Sequence, residues 1–257
     1  MYKWKGLIII CICFFLLAGC SSEKREVKLT VSAAASLTDA MEELVEAFES
    51  REPNIAISLN LASSGALQQQ ISQGAPVDIF LSAAEEPFDY LNKQGLLDKS
   101  HQELLLRNQL VLIKRKDTFS QFHEFKDLLD EQVQEIAIGT PESVPAGIYA
   151  KQALEHVGIF HSLESKLVYA KDVRQVLQYV ESGSVDFGFV YATDVIAAKQ
   201  VEVERVVDEE WHDPIQYPIG ILKDTKHKEE AVAFYNFLRS TKADTIFAKY
   251  GFTTVNK

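Results

Sequence analysis

Nine short apolar runs alternate along the chain with segments whose apolar residues recur at helical spacing. The runs are VKLTVSA from Val27, IAISLNL from Ile55, VDIFLSA from Val77, QLVLIKR from Gln109, QEIAIG from Gln134, KLVYA from Lys166, VDFGFVY from Val185, VERVV from Val203 and YPIGIL from Tyr217. Between them, Leu37, Met41, Leu44 and Phe48 share a helical face, as do Val173, Val176, Leu177 and Val180, and Ala233, Phe234, Phe237 and Leu238. Strand and helix in alternation with short connections predict an α/β architecture built on mostly parallel sheets flanked by helices. Nine strands exceed one comfortable small sheet, so two lobes are expected. No Gly/Ser/Pro linker, internal repeat or low-complexity tract separates them, so the chain should cross between lobes near Gln109–Lys114 and again near Tyr217–Leu222. That division gives residues 27–108 plus 220–257 to one lobe and 109–219 to the other.

The N-terminus is read apart from the fold. Lys3 and Lys5 precede an apolar run from Leu7 to Ala18, which ends in Leu17-Ala18-Gly19-Cys20. A basic start, a short apolar core and small residues before a cut describe a secretory signal, residues 1–19. The core is too short for the roughly 20 residues of a spanning helix. The tetrapeptide LAGC resembles the lipobox of bacterial lipoproteins, which implies that Cys20 becomes the first mature residue and carries lipid, with residues 20–26 as a tether. Cys11 and Cys13 leave with the signal, so no structural disulfide and no Cys-based metal site is expected. The chain carries 26 Lys and Arg against 37 Asp and Glu, and losing Lys3 and Lys5 lowers the net charge from −11 to −13. Such a balance argues against a nucleic-acid partner, which needs a basic footprint, and makes any anion binding a local matter.

Five strand-to-helix turns stand out. In VSAAASLTDA three alanines precede Ser36; in LNLASSGAL two hydroxyls, Ser63 and Ser64, precede Gly65; in PESVPAGIYA, Pro145 sets a first helical turn at Ala146 and Gly147; in AKDVR, Asp172 stands as an N-cap before Val173; in VYATD, Tyr191 ends a strand and Thr193 is placed to cap the next helix. Ser36-x-x-Asp39 also fits a capping box, so Ser36 could be a cap, a nucleophile or a ligand-binding hydroxyl. In open α/β sheets ligands bind beyond the carboxyl ends of the strands, where helix N-termini offer unpaired N–H groups and the positive end of the helix dipole. Small side chains let a compact ligand reach that backbone, so the turns describe a site for a small oxygen-rich anion read by neutral donors. Arg174 is the one arginine in these turns and is expected to be solvated.

The blocks AAASLTDAMEEL, LASSGALQQQI, GAPVDIFLSA, PESVPAGIYAKQAL, AKDVRQVLQYV, GFVYATDV and FAKYGF resemble the molybdate-binding receptors of bacterial ABC transporters over about Val27 to Phe252. The resemblance implies a two-lobed periplasmic-binding-protein fold closing on one tetrahedral oxyanion, molybdate or tungstate, with no cofactor and no direct metal-cation ligands. It implies that Ser36 and Ser64 donate from the first lobe, Ala146 and Val173 donate backbone N–H groups from the second, and Tyr191 donates its phenol. It further implies a membrane permease as partner, a lipid-anchored place on the outer face of the cytoplasmic membrane and a monomeric receptor. Some relatives carry a third hydroxyl where this chain has Gly65. Sulfate or thiosulfate remains open, because charge and shape alone do not separate tetrahedral anions. A serine enzyme is the rival from another class, but none of His101, His123, His156, His161, His212 and His227 lies in these turns to serve as base, and no G-x-S-x-G, P-loop or H-E-x-x-H occurs. Phe80, Phe187 and Phe189 are read as core.

Overall fold

The computed structural model describes residues 27–118 and 122–255; the signal, the lipobox with Cys20 and the tether lie outside the described residues. Two sheets form the two lobes. The first holds β1 (Val27–Ala34), β2 (Ile55–Ala62), β3 (Ile79–Leu81), β4 (Leu97–Arg107), β10 (Gln216–Leu222) and β11 (Thr253–Thr254) in the order β11-β4-β10-β3-β1-β2. The second holds β5 (Leu110–Arg115), β6 (Ile136–Gly139), β7 (Leu167–Ala170), β8 (Phe187–Tyr191) and β9 (Val201–Val206) in the order β7-β6-β8-β5-β9. Strands joined through helices are parallel, β1 with β2 and β3, and β6 with β7 and β8. The two strands that receive the crossing chain, β5 and β10, run against their neighbours.

Helices α1 (Thr38–Glu49), α2 (Ser64–Ser72), α3 (Glu85–Lys93), α8 (Lys228–Leu238) and α9 (Thr241–Lys249) belong with the first sheet; α4 (Pro145–Val157), the single turn α5 (Phe160–Leu163), α6 (Val173–Ser182) and the short α7 (Ala192–Ile196) belong with the second. The helical stripe Met41, Leu44 and Phe48 is buried, and Phe48 meets Phe234 and Phe237 of α8 at ring distances of 4.9 and 5.4 Å. That aromatic cluster pins the C-terminal helices to the first lobe, with ring pairs of this kind adding about 0.5–1.5 kcal/mol beyond area burial. Phe80, Phe187 and Phe189 are buried, as expected from the sequence. Where α4 meets β6 the backbones nearly touch: a Cβ on Gly147 would sit 1.9 Å from the Gly139 carbonyl oxygen. Glycine there lets the N-terminus of α4 press onto the end of its strand.

The strands differ from expectation at two places. β4 and β11 carry no strong apolar run, and β4 has several exposed or half-exposed positions. The chain crosses between sheets at residues 108–109 and returns between β9 and β10 in residues 207–215. The division placed between residues 219 and 220 therefore falls inside β10, which already pairs with β4 from Gln216 onward.

Candidate functional site

All five strand-to-helix turns converge on one small cavity between the lobes. Ala34, Ala35, Ser36, Ser63, Ser64 and Ala83 line it from the first lobe, and Val144, Pro145, Ala146, Asp172, Val173 and Tyr191 from the second. Ser36, Ser64, Ala146, Val173 and Tyr191 are each buried. The carboxyl ends of β1, β2, β6, β7 and β8 lead into helices or helical turns here, so the N-terminal ends of α2, α4 and α6 border the cavity.

The hydroxyls are held by the protein rather than spent on capping. Ser36 lies in a buried 3-10 turn, Ala35–Leu37, makes no side-chain cap, and pairs with the Tyr217 hydroxyl at 2.9 Å. Ser64 is the first residue of α2 and Gly65 the second; Ser64 Oγ accepts the Ala83 N–H at 2.8 Å. Its own proton is thereby left to donate elsewhere. Asp172 does cap α6, accepting the Gln175 N–H at 2.9 Å. Thr193 does not cap: α7 begins at Ala192, and Thr193 Oγ1 accepts from Asn108 at 2.9 Å.

Two buried hydroxyls, Ser63 Oγ and Tyr191 Oη, have no hydrogen-bond partner among the described residues. An unpaired polar group in a dry interior costs about 1–3 kcal/mol, and both line the cavity, so both are available to a ligand. Sequence reasoning singles out Ser64 and misses its neighbour Ser63, although LASSG presents both. Burial, with Tyr217, Tyr149 and Asp194 nearby, pushes the Tyr191 phenol well above its usual range; burial does the same for Tyr217. Both remain neutral donors. No Lys or Arg lines the cavity.

Arg174 is not free in solvent. Its guanidinium forms a two-pronged pair with Asp39 across the cleft at 2.9 and 3.3 Å and approaches Asp194 at 3.7 Å. Burial pushes the Asp194 carboxyl up to about 7, against the pull of Arg174 and of the Tyr191 N–H it accepts. The lobes also touch through the backbone, where the Gly65 N–H donates to the Ser143 carbonyl at 3.0 Å. His156 stacks on Trp211 and His161 pairs with Glu164.

Two α/β lobes meeting over a small cavity ringed by helix N-termini, with no Lys or Arg among its lining residues, define a solute receptor. The chain belongs to the bacterial extracellular solute-binding protein family, whose model matches residues 29–253. It is 46% identical over 98% of its length to YvgL of Bacillus subtilis strain 168, whose name describes an ABC transporter substrate-binding lipoprotein and which is covered over 99%. It is 37% identical to the molybdate-binding protein ModA of Escherichia coli K12, with 98% of each chain covered. The periplasmic molybdate-binding protein of Azotobacter vinelandii superposes with a TM-score of 0.77 at 28% identity, covering 88% of this chain and 98% of its own.

Proposed function

We propose that this protein captures molybdate, and tungstate with it, by lobe closure and delivers it to an ABC permease. The observation that carries the reading is the cavity itself: Ser36, Ser63, Ser64, Ala146, Val173 and Tyr191 ring it with neutral donors, two of them unpaired, and no cationic side chain. Full-length similarity to proteins named for molybdate binding supports the choice of anion.

The first lobe would offer the hydroxyls of Ser36 and Ser64, and the second the N–H groups of Ala146 and Val173 with the Tyr191 phenol. About six hydrogen bonds to a charged oxyanion, at roughly 1.5–3 kcal/mol each, reach the roughly 8–12 kcal/mol of micromolar to nanomolar binding. The dianion's charge is met by backbone dipoles at the helix starts, which need no reorganisation. Because the donors are split between lobes, the shell is complete only when they meet, so ligand shifts the open–closed balance toward closed. No histidine is among the residues that line the cavity with these serines.

Titration calorimetry with the chain from residue 21 should show one-to-one, tight binding of molybdate and tungstate, with sulfate much weaker and phosphate weakest. Sulfate bound in preference to molybdate would replace the ligand, and silence toward all four would refute the receptor. Lipid on Cys20 would hold the protein as a monomer at the outer face of the cytoplasmic membrane beside its permease. The mass of membrane-extracted protein should then show cleavage before Cys20 and added acyl chains; an unmodified Cys20 would refute the anchor.

A further inference from the structure

The polarity of the Ser36 hydroxyl can be traced to a residue outside the cavity. Asn108 sits in the crossing from β4 to β5, and its Oδ1 accepts the Gln109 N–H at 2.9 Å. A backbone N–H can only donate, so this bond fixes which end of the amide is oxygen. The amide nitrogen then gives one hydrogen to Thr193 Oγ1 at 2.9 Å and the other to the Tyr217 hydroxyl at 3.1 Å. Tyr217 is buried, its oxygen already accepts from Asn108, and Ser36 Oγ at 2.9 Å is placed to take its single proton. Ser36 in that arrangement keeps its own proton, free to donate into the cavity it lines. Ser64 reaches the same state in one step, through the Ala83 N–H.

Resting on the molybdate-receptor function proposed for this cavity, we infer that Asn108 and Tyr217 are positioning residues that lock Ser36 as a hydrogen-bond donor, so that the site selects fully deprotonated dianions and rejects those that carry a proton. A hydroxyl whose proton was spent on Tyr217 could only accept from the ligand, as suits a protonated anion; one that accepts from Tyr217 keeps its proton to donate to a bare anion oxygen. Sites committed to one hydrogen-bond polarity discriminate strongly, because the wrong partner leaves buried groups facing like with like. The crossing segment thereby sets the chemistry of a site that it does not touch.

The test compares wild type, Asn108→Asp and Tyr217→Phe by calorimetry at mildly alkaline pH. Molybdate and hydrogen phosphate serve as ligands, the second measured by competition. Both are dianions there, so added charge at residue 108 affects them alike and cancels in the ratio of their affinities. Aspartate accepts from Tyr217 instead of donating, which turns the Tyr217 proton away and makes Ser36 present lone pairs to the ligand. The ratio should move toward hydrogen phosphate by about tenfold or more in Asn108→Asp, and in the same direction but less in Tyr217→Phe, whose Ser36 is free to turn. An unchanged ratio in both variants, with both ligands weakened equally, would reduce Asn108 and Tyr217 to packing and overturn the inference. Should wild type prefer sulfate, the molybdate reading fails while the relay is judged with sulfate as reference. Wild type that takes hydrogen phosphate as well as any other dianion overturns the relay alone, and binding of none overturns both.

Discussion

Gly65→Val is expected to lose tight anion binding while the ligand-free protein still folds. A Cβ at Gly65 would lie 2.6 Å from the Ser143 carbonyl oxygen and 2.8 Å from its Cα, both on the opposite lobe. Backbone cannot yield as the end of a flexible side chain can, and the Gly65 N–H to Ser143 bond would be lost as well. Within its own lobe the position is an ordinary second residue of α2, so the open form bears no strain. Overpacking of this kind costs roughly 1–3 kcal/mol, which charged to the closed form weakens binding by about fivefold to 150-fold. Calorimetry reads the loss, and a melting curve without ligand should match wild type. Wild-type affinity in the variant would mean that the ligand does not need the lobes to meet in this arrangement. The absent side chain is here a condition for contact between lobes.

The second large effect concerns the paired substitution of Ser36 and Ser64 by alanine. Each change removes a hydrogen bond to a charged ligand, about 1.5–3 kcal/mol apiece, so the pair should weaken molybdate binding by about a hundredfold or more. Each single change also strands a buried donor. Ser64→Ala strands the Ala83 N–H and Ser36→Ala the proton of the Tyr217 hydroxyl, which keeps only the hydrogen bond it accepts from Asn108, so each should destabilise the protein by about 1–3 kcal/mol. Denaturant melts of the two single variants read these losses, and undiminished affinity in the double variant would sink the assignment of both serines.

Much of the fold and of the cavity lining is legible in the amino-acid sequence alone. Strand and helix periods place nine of the strands, and small residues beside hydroxyls mark the turns that line the cavity. β4 escapes because LDKSHQELLLR has an irregular, largely polar face, and its strand character comes from pairing with β10 and β11 rather than from its own pattern. The partners of the site residues are out of reach for a different reason. Ser36 and Tyr217 are 181 positions apart and Asn108 and Tyr217 are 109 apart, so no local spacing announces their bonds. A capping box can be read at Ser36-x-x-Asp39 because the residue types fit it, but Asp39 is drawn off to Arg174 and Ser36 to Tyr217. Local propensity gives way where tertiary partners of better geometry are present. Thr193 follows the same rule, turning to Asn108 instead of capping α7.

The contacts between Gly65 and Ser143 and between Asp39 and Arg174 join one lobe to the other and can form only once the lobes have met. Their influence is therefore on the clock of release and not on the rate of arrival, since an anion diffusing into an open cleft encounters neither. A membrane transporter that draws the lobes apart would shorten the residence time of the cargo without touching a single ligand-facing atom.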